Sequence, residues 1–208
     1  MTEVLYFVLL AVFAFCLGAC PFSLWIGRWL LGKDIRDYGD GNPGAGNVFR
    51  AGDRKAGCLA LILDMAKGTP FVALAYSFFG LPEAIVMVVA LSAIVGSAFS
   101  PLLRFRGGKS IAITFGVLLA LPQHEMLMTF AVFMGLGFLF MEVDAWTVMF
   151  GPAGSLIYLA ITGASSWAVL FMISLFVILA VKYRNELKTI PRPQVRPVNW
   201  LRSRREKS

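Results

Sequence analysis

Two glycine-rich stretches hold the residues best suited to chemistry. The first runs Gly41-Asn42-Pro43-Gly44-Ala45-Gly46-Asn47 and is followed by Arg50. Glycine leaves backbone N–H groups open to close approach, and several pointing one way make a concave anion site. Asn42 and Asn47 add amide donors, and Arg50 offers a guanidinium that can grip a phosphate through two parallel bonds. The same residue types also build tight connectors, so cradle and simple turn are both open readings of this stretch. It is not a Walker loop, since no Gly-Lys-Ser/Thr ending follows, and no strand precedes it as a dinucleotide fingerprint requires.

The second stretch, Phe105-Arg106-Gly107-Gly108-Lys109, stands directly before an apolar helix. The free N–H groups and positive dipole end of that helix face the same spot as the Lys109 ammonium. The alternative is a basic turn that only fixes topology. Taken together, the two loops predict a pair of glycine-lined, cationic walls holding anionic substrates on one face of a membrane.

Other chemistries are excluded by residue type. The single histidine, His124, is followed four and five residues on by Met128 and Thr129, so the His-plus-Asp acyltransferase arrangement is absent. No Ser-His-Asp set assembles beside the loops, and no cofactor motif or metal-ligand spacing appears, so neither metal nor cofactor is expected. Cys16, Cys20 and Cys58 all lie in apolar runs and read as small hydrophobes. No side chain is singled out as catalytic. Any reaction must rely on positioning and charge stabilisation.

These loops have to be positioned by membrane helices. Of the 208 residues, 58% are hydrophobic and only 15% charged, with a mean hydropathy of +0.75, which excludes an ordinary soluble domain. The reading is an all-α, polytopic integral membrane protein with about seven spans, at 4–29, 57–79, 84–100, 110–121, 127–141, 147–161 and 166–181. The first lacks a basic start and is too long for a signal peptide, so it reads as a retained span. Several fall short of the roughly 20 residues of a straight crossing. The fourth and fifth therefore read as a tilted pair or a re-entrant element sheltered by neighbours.

Charge sets the orientation. With seven spans, all 19 lysines and arginines fall on one side, leaving Glu3, Glu83, His124 and Glu125 on the other. The positive-inside rule makes the basic side cytoplasmic, with the N-terminus outside and the C-terminus inside. The expected organisation is a membrane domain at 1–182 with cytoplasmic substrate loops at 32–55 and 101–110. A basic tail at 183–208 follows, broken by Pro191, Pro193 and Pro197 and drawn to anionic lipid rather than nucleic acid. Asp64 and Lys67, three apart on one helix face, read as a structural ion pair or a contact with loop cations.

The runs from Gly41 to Arg50, Leu63-Asp64-Met65-Ala66-Lys67-Gly68, and Phe99-Ser100-Pro101 through Lys109 resemble the bacterial acyl-phosphate-dependent glycerol-3-phosphate acyltransferases (PlsY type). The resemblance covers nearly the whole chain. It implies an inner-membrane enzyme of phospholipid synthesis, working at the cytoplasmic face. That enzyme would move an acyl group from acyl phosphate to the 1-position of glycerol 3-phosphate, releasing lysophosphatidic acid and phosphate. It assigns Asn42, Gly44, Asn47, Arg50, Ser100, Gly107, Gly108 and Lys109 to substrate and phosphate binding. It also implies substrate-assisted attack, with the donor phosphate taking the hydroxyl proton. The partners are these small molecules and membrane lipid; the oligomeric state stays open, a monomer sufficing.

Several polar positions depart from the family pattern. Asp40 stands where the family usually has serine, and Gly46 where it usually has threonine. Gly96-Ser97 replaces Gly-His, the stretch from Ala145 to Phe150 lacks a serine, and Tyr183-Arg184-Asn185-Glu186-Leu187 lacks a histidine. A carboxylate among phosphate ligands is repulsive unless a cation pairs with it, and Arg36, Arg50 and Lys109 are the candidates. An impaired or substrate-shifted member that binds anionic lipid precursors is the alternative function.

Overall fold

A computed structural model of the chain describes residues 2–141 and 143–189; the prolines of the tail, with Trp200 and Leu201, lie outside the described residues. Every regular element among the described residues is helical. The chain divides into two compact units, Met1–His124 and Glu125–Ser208.

In the first unit the opening apolar run, expected as one span at 4–29, is long enough to cross but is not one continuous helix. α1 (Thr2–Ala19) stops, and α2 (Phe22–Leu31) restarts after Pro21, because proline has no N–H to continue the ladder. Carbonyls freed inside an apolar environment must find other donors. The Ser100 hydroxyl donates to the Ala19 carbonyl at 2.6 Å, and the Lys67 ammonium donates to that of Cys20 at 3.0 Å. The break is thereby sealed by two polar side chains from elsewhere in the unit.

A short helix, α3 (Ala45–Arg50), lies within the first glycine loop. α4 (Arg54–Ala66) is capped by Asp53, whose carboxylate accepts from the backbone N–H groups of Lys55 (2.7 Å) and Ala56 (3.0 Å), as an N-cap aspartate should. Pro70 opens α5 (Pro70–Ala73), which runs into a π-helical turn, Leu74–Phe78. α6 (Glu83–Ala98) and α7 (Ile111–Ala120) complete the unit.

Glycines let these helices cross closely. A Cβ at Gly18 would collide with the Ala93 carbonyl and one at Gly96 with that of Phe15, so α1 and α6 meet backbone to backbone. Gly116 of α7 meets the Met65 carbonyl of α4 in the same way. Small residues at such crossings replace the hydrophobic drive that lipid cannot supply.

In the second unit, α8 (His124–Phe140), α9 (Asp144–Thr162) and α10 (Ser166–Lys182) follow one another. The Phe133 ring fills the space over Gly154, and Phe130 that over Gly151, tying α8 to α9. Thr129 and Ser155 add a hydroxyl–hydroxyl bond of 3.0 Å. The Trp146 indole N–H reaches the Thr189 carbonyl at 2.9 Å.

Four runs among the described residues are long and apolar enough to cross a membrane: Val4–Leu31, Arg54–Phe78, Glu83–Leu103 and Asp144–Thr162. Ile111–Ala120, His124–Phe140 and Ser166–Lys182 are shorter apolar helices. In the first unit, the two glycine loops join the end of α2 to the start of α4, and the end of α6 to the start of α7.

Candidate active site

The first loop is held down before it is polar. Ile35, Ala45 and Val48 are buried with Leu24 and Ile26 of α2 and Ala56 and Ala60 of α4, and Leu103 of the second loop packs against the same cluster. Full burial of an isoleucine or valine contributes about 1.5–3 kcal/mol, so the loop is seated by its own apolar residues. Lys33 closes its two ends, donating to the Ala51 carbonyl at 2.9 Å.

Arg36 is committed elsewhere than Asp40. Its guanidinium donates twice to Asp34, at 2.9 and 2.6 Å, and Arg28 adds a third bond at 3.0 Å. The Arg36 guanidinium is the main reason the Asp34 carboxyl sits well below the usual carboxylate range.

Asp40 is the centre of the site. It lies between Gly39 (φ +58°) and Gly41 (φ +71°), both left-handed, a region glycine enters without the Cβ penalty. Its Oδ1 accepts from the Asn42 backbone N–H at 3.2 Å and from the Asn47 amide at 2.9 Å. Its Oδ2 pairs with the Lys109 ammonium at 2.7 Å, and Arg50 lies 3.8 Å from Oδ1. Asn47 is buried; its amide also donates to the Asn42 carbonyl at 2.9 Å, while its Oδ1 accepts from Arg50 at 2.8 Å. Burial works to raise the Asp40 carboxyl, but Lys109, the Asn42 N–H and Asn47 together hold it below its ordinary value.

The second loop brings Lys109 there under strain. Arg104 (φ +52°), Phe105 (φ +62°) and Ser110 (φ +60°) all adopt left-handed backbone, which costs non-glycine residues energy and concentrates at functional loops. Gly107 is pressed on the backbone of Ser97 and Ala98 at the end of α6, leaving no room for a Cβ. Gly108 is open, its nearest neighbour 3.9 Å from where a Cβ would stand. α7 starts at Ile111, after Ser110, whose buried hydroxyl has no hydrogen-bond partner among the described residues.

The structure therefore brings Asn42, Asn47, Arg50 and Lys109 around one carboxylate. Gly44 caps α3 and holds the Asn42 amide close, 3.1 Å from where its Cβ would stand. Ser100 is buried with its hydroxyl on the Ala19 carbonyl. Gly46 faces open space. Of the three cations the sequence offers as partners of Asp40, Lys109 and Arg50 meet it and Arg36 does not; the contacts from the Asn42 N–H and the Asn47 amide were not foreseen. The signal was the place of Asp40 between two glycines in reach of Lys109. Ser23 was missed too: its hydroxyl donates to the Asp64 carboxylate, and the nearby Pro21 was the hint of a helix break.

This geometry can be set beside known proteins. A family pattern described as Glycerol-3-phosphate acyltransferase matches residues 8–192. The chain belongs to this family. It is a membrane acyltransferase. A glycerol-3-phosphate acyltransferase of Lactococcus lactis subsp. lactis (strain IL1403) is 35% identical over 190 residues, covering 88% of this chain and 89% of its own length. One from Anaeromyxobacter sp. (strain Fw109-5) is 33% identical over 199 residues, covering 92% and 96%. Among solved structures, PlsY (YgiH), described as an integral membrane glycerol 3-phosphate acyltransferase, is similar in two forms. Its glycerol 3-phosphate form matches with TM-score 0.76 at 26% identity, over 88% of this chain and 90% of its own. Its lysophosphatidic acid form matches with TM-score 0.75.

Proposed function

We propose that the chain transfers an acyl group from acyl phosphate to the 1-hydroxyl of glycerol 3-phosphate at the cytoplasmic face of a bacterial inner membrane. The observation that carries the reading is the Asp40 cluster, where two loops converge amide and cationic donors on a single anion. Asn42, Gly44, Asn47, Arg50, Gly107, Gly108 and Lys109 form the phosphate-binding walls, with Ser100 fixing the start of the second loop. The hydroxyl oxygen attacks the acyl carbon, the bond from that carbon to the phosphate oxygen breaks, and the departing phosphate takes the hydroxyl proton. Lys109 and Arg50 stabilise the phosphate charge through the step.

The seven-span topology, N-terminus outside, belongs to the same proposal. It is supported by four long and three shorter apolar helices and by the absence of lysine and arginine from the segments assigned to the outer side. The short helices cross by tilt or local thinning of the bilayer. One chain supplies every residue of the walls, so a monomer suffices.

The test is direct. Purified protein given palmitoyl phosphate and glycerol 3-phosphate should release phosphate and form lysophosphatidic acid. Folded protein that turns over no faster than a Lys109→Ala control would overturn the reading. Running the assay with other phosphorylated alcohols tests the acceptor, and a cysteine-accessibility scan of both loops in intact cells tests the cytoplasmic face.

A further inference from the structure

The phosphate walls of this chain already hold an anion, and it is the chain's own. Four donors expected of a phosphate subsite are spent on Asp40: a backbone N–H from Asn42, the Asn47 amide, the Lys109 ammonium and the nearby Arg50 guanidinium. We infer that Asp40 is a built-in competitor for the substrate's phosphate group, which binds by displacing the carboxylate from Lys109 and Asn47. The inference rests on the proposed function for the identity of the phosphate-bearing substrate, and on the structure for the occupied cradle.

Three features suit Asp40 to displacement rather than permanent attachment. It sits between Gly39 and Gly41, both at positive φ, so the backbone can swing the carboxylate without rebuilding a helix. Its side chain is 35% exposed, whereas that of Lys109 is only 16% exposed; the anion can leave to water while the cation stays in place. And a phosphate dianion and a carboxylate cannot share one ammonium without mutual repulsion. The buried Asp64–Lys67 pair is the contrast: its side chains are 10% and 6% exposed and it has no route to water of this kind.

Asp40 is thus a specificity-determining residue. It makes weak anions poor ligands, since they must outcompete an intramolecular carboxylate, and it reserves the site for a group that gains more from Lys109, Arg50 and the amides than Asp40 does. Serine at this position would supply a hydroxyl with no charge to displace.

The experiment compares wild type with Asp40→Asn, which keeps the shape and the acceptor for Asn47, and with Asp40→Ser. In acyl transfer, KM for glycerol 3-phosphate, or the inhibition constant for inorganic phosphate, should fall about two- to fivefold in both variants, the range of one partly exposed ion pair. The kcat should change less than KM. Binding of inorganic phosphate to purified protein, measured by titration calorimetry, should tighten by the same factor. A rise in KM, or a loss of kcat with unchanged phosphate affinity in both variants, would overturn the inference and make Asp40 a latch between the loops. If no chain turns over, the calorimetric arm alone decides: tighter phosphate binding by Asp40→Asn upholds the inference while the proposed reaction fails, and equal or weaker binding overturns it.

Discussion

The Asp64 carboxylate and the Lys67 ammonium lie 2.8 Å apart at the end of α4, both buried, and each has a second partner. Ser23 of α2 donates to Asp64, and Lys67 donates to the Cys20 carbonyl. The pair therefore joins α4 to the break between α1 and α2, on which the first loop depends.

Breaking that pair should be costly. Asp64→Ala leaves a buried ammonium without its counter-charge, and loss of one partner of a buried pair costs roughly 3–5 kcal/mol. Thermal unfolding in detergent should fall sharply for either single variant. The double variant Asp64→Leu/Lys67→Met should recover most of the loss, but not all, because the Cys20 carbonyl still lacks its donor.

The close helix crossings predict a graded response at glycines. Gly96→Ala and Gly116→Ala each drive a methyl into a backbone carbonyl, an overpacking of about 1–3 kcal/mol. Gly46→Ala and Gly135→Ala meet nothing within 4 Å and should unfold at nearly the wild-type temperature. Equal sensitivity at all four positions would contradict the crossings described here.

Within the site, the two cations should differ. Lys109 is mostly buried and its Nζ lies 2.7 Å from the bound carboxylate, whereas the Arg50 side chain is 52% exposed and lies 3.8 Å from it. Lys109→Ala should lower kcat/KM by roughly 10²–10³-fold, as loss of a charge-stabilising donor does. Arg50→Ala should lower it by about tenfold, the worth of one charged hydrogen bond at the weaker end of its range. A kinetic ranking in the opposite order would remove Lys109 from the centre of the site.

The pH dependence of the loop contact has a fixed sign. Asp40 has a folded pKa below its ordinary value, so its stabilising contribution is complete above the unfolded carboxyl value of about 3.9 and is lost as pH falls below that value through the folded one. Wild type and Asp40→Asn should differ in resistance of the first loop to proteolysis between pH 5 and 7, by an amount that does not change with pH in that window. The difference should begin to shrink below about pH 4 and vanish once the pH has passed below the lowered Asp40 value. A gap that widens on acidification would mean that Asp40 is bound as the neutral acid.

The membrane class and the position of both glycine loops were legible in the sequence, because they depend on local composition. Long apolar runs demand helices in lipid, and the clusters around Gly41–Asn47 and Gly107–Lys109 interrupt them with residues that no span accommodates. Asn42, Asn47, Arg50 and Lys109 could be picked out by type and spacing alone. The partners of those residues could not. That Lys109 rather than Arg36 meets Asp40, that Ser23 rather than a loop cation meets Asp64, and that Ser100 reaches the Ala19 carbonyl are outcomes of packing. Gly18, Gly96 and Gly116 let the helices approach until those side chains meet, and Pro21 frees the carbonyls that Ser100 and Lys67 seal. Local propensity sets which groups need a partner. Only the tertiary arrangement, which weighs every burial and every crossing at once, decides which partner each group finds.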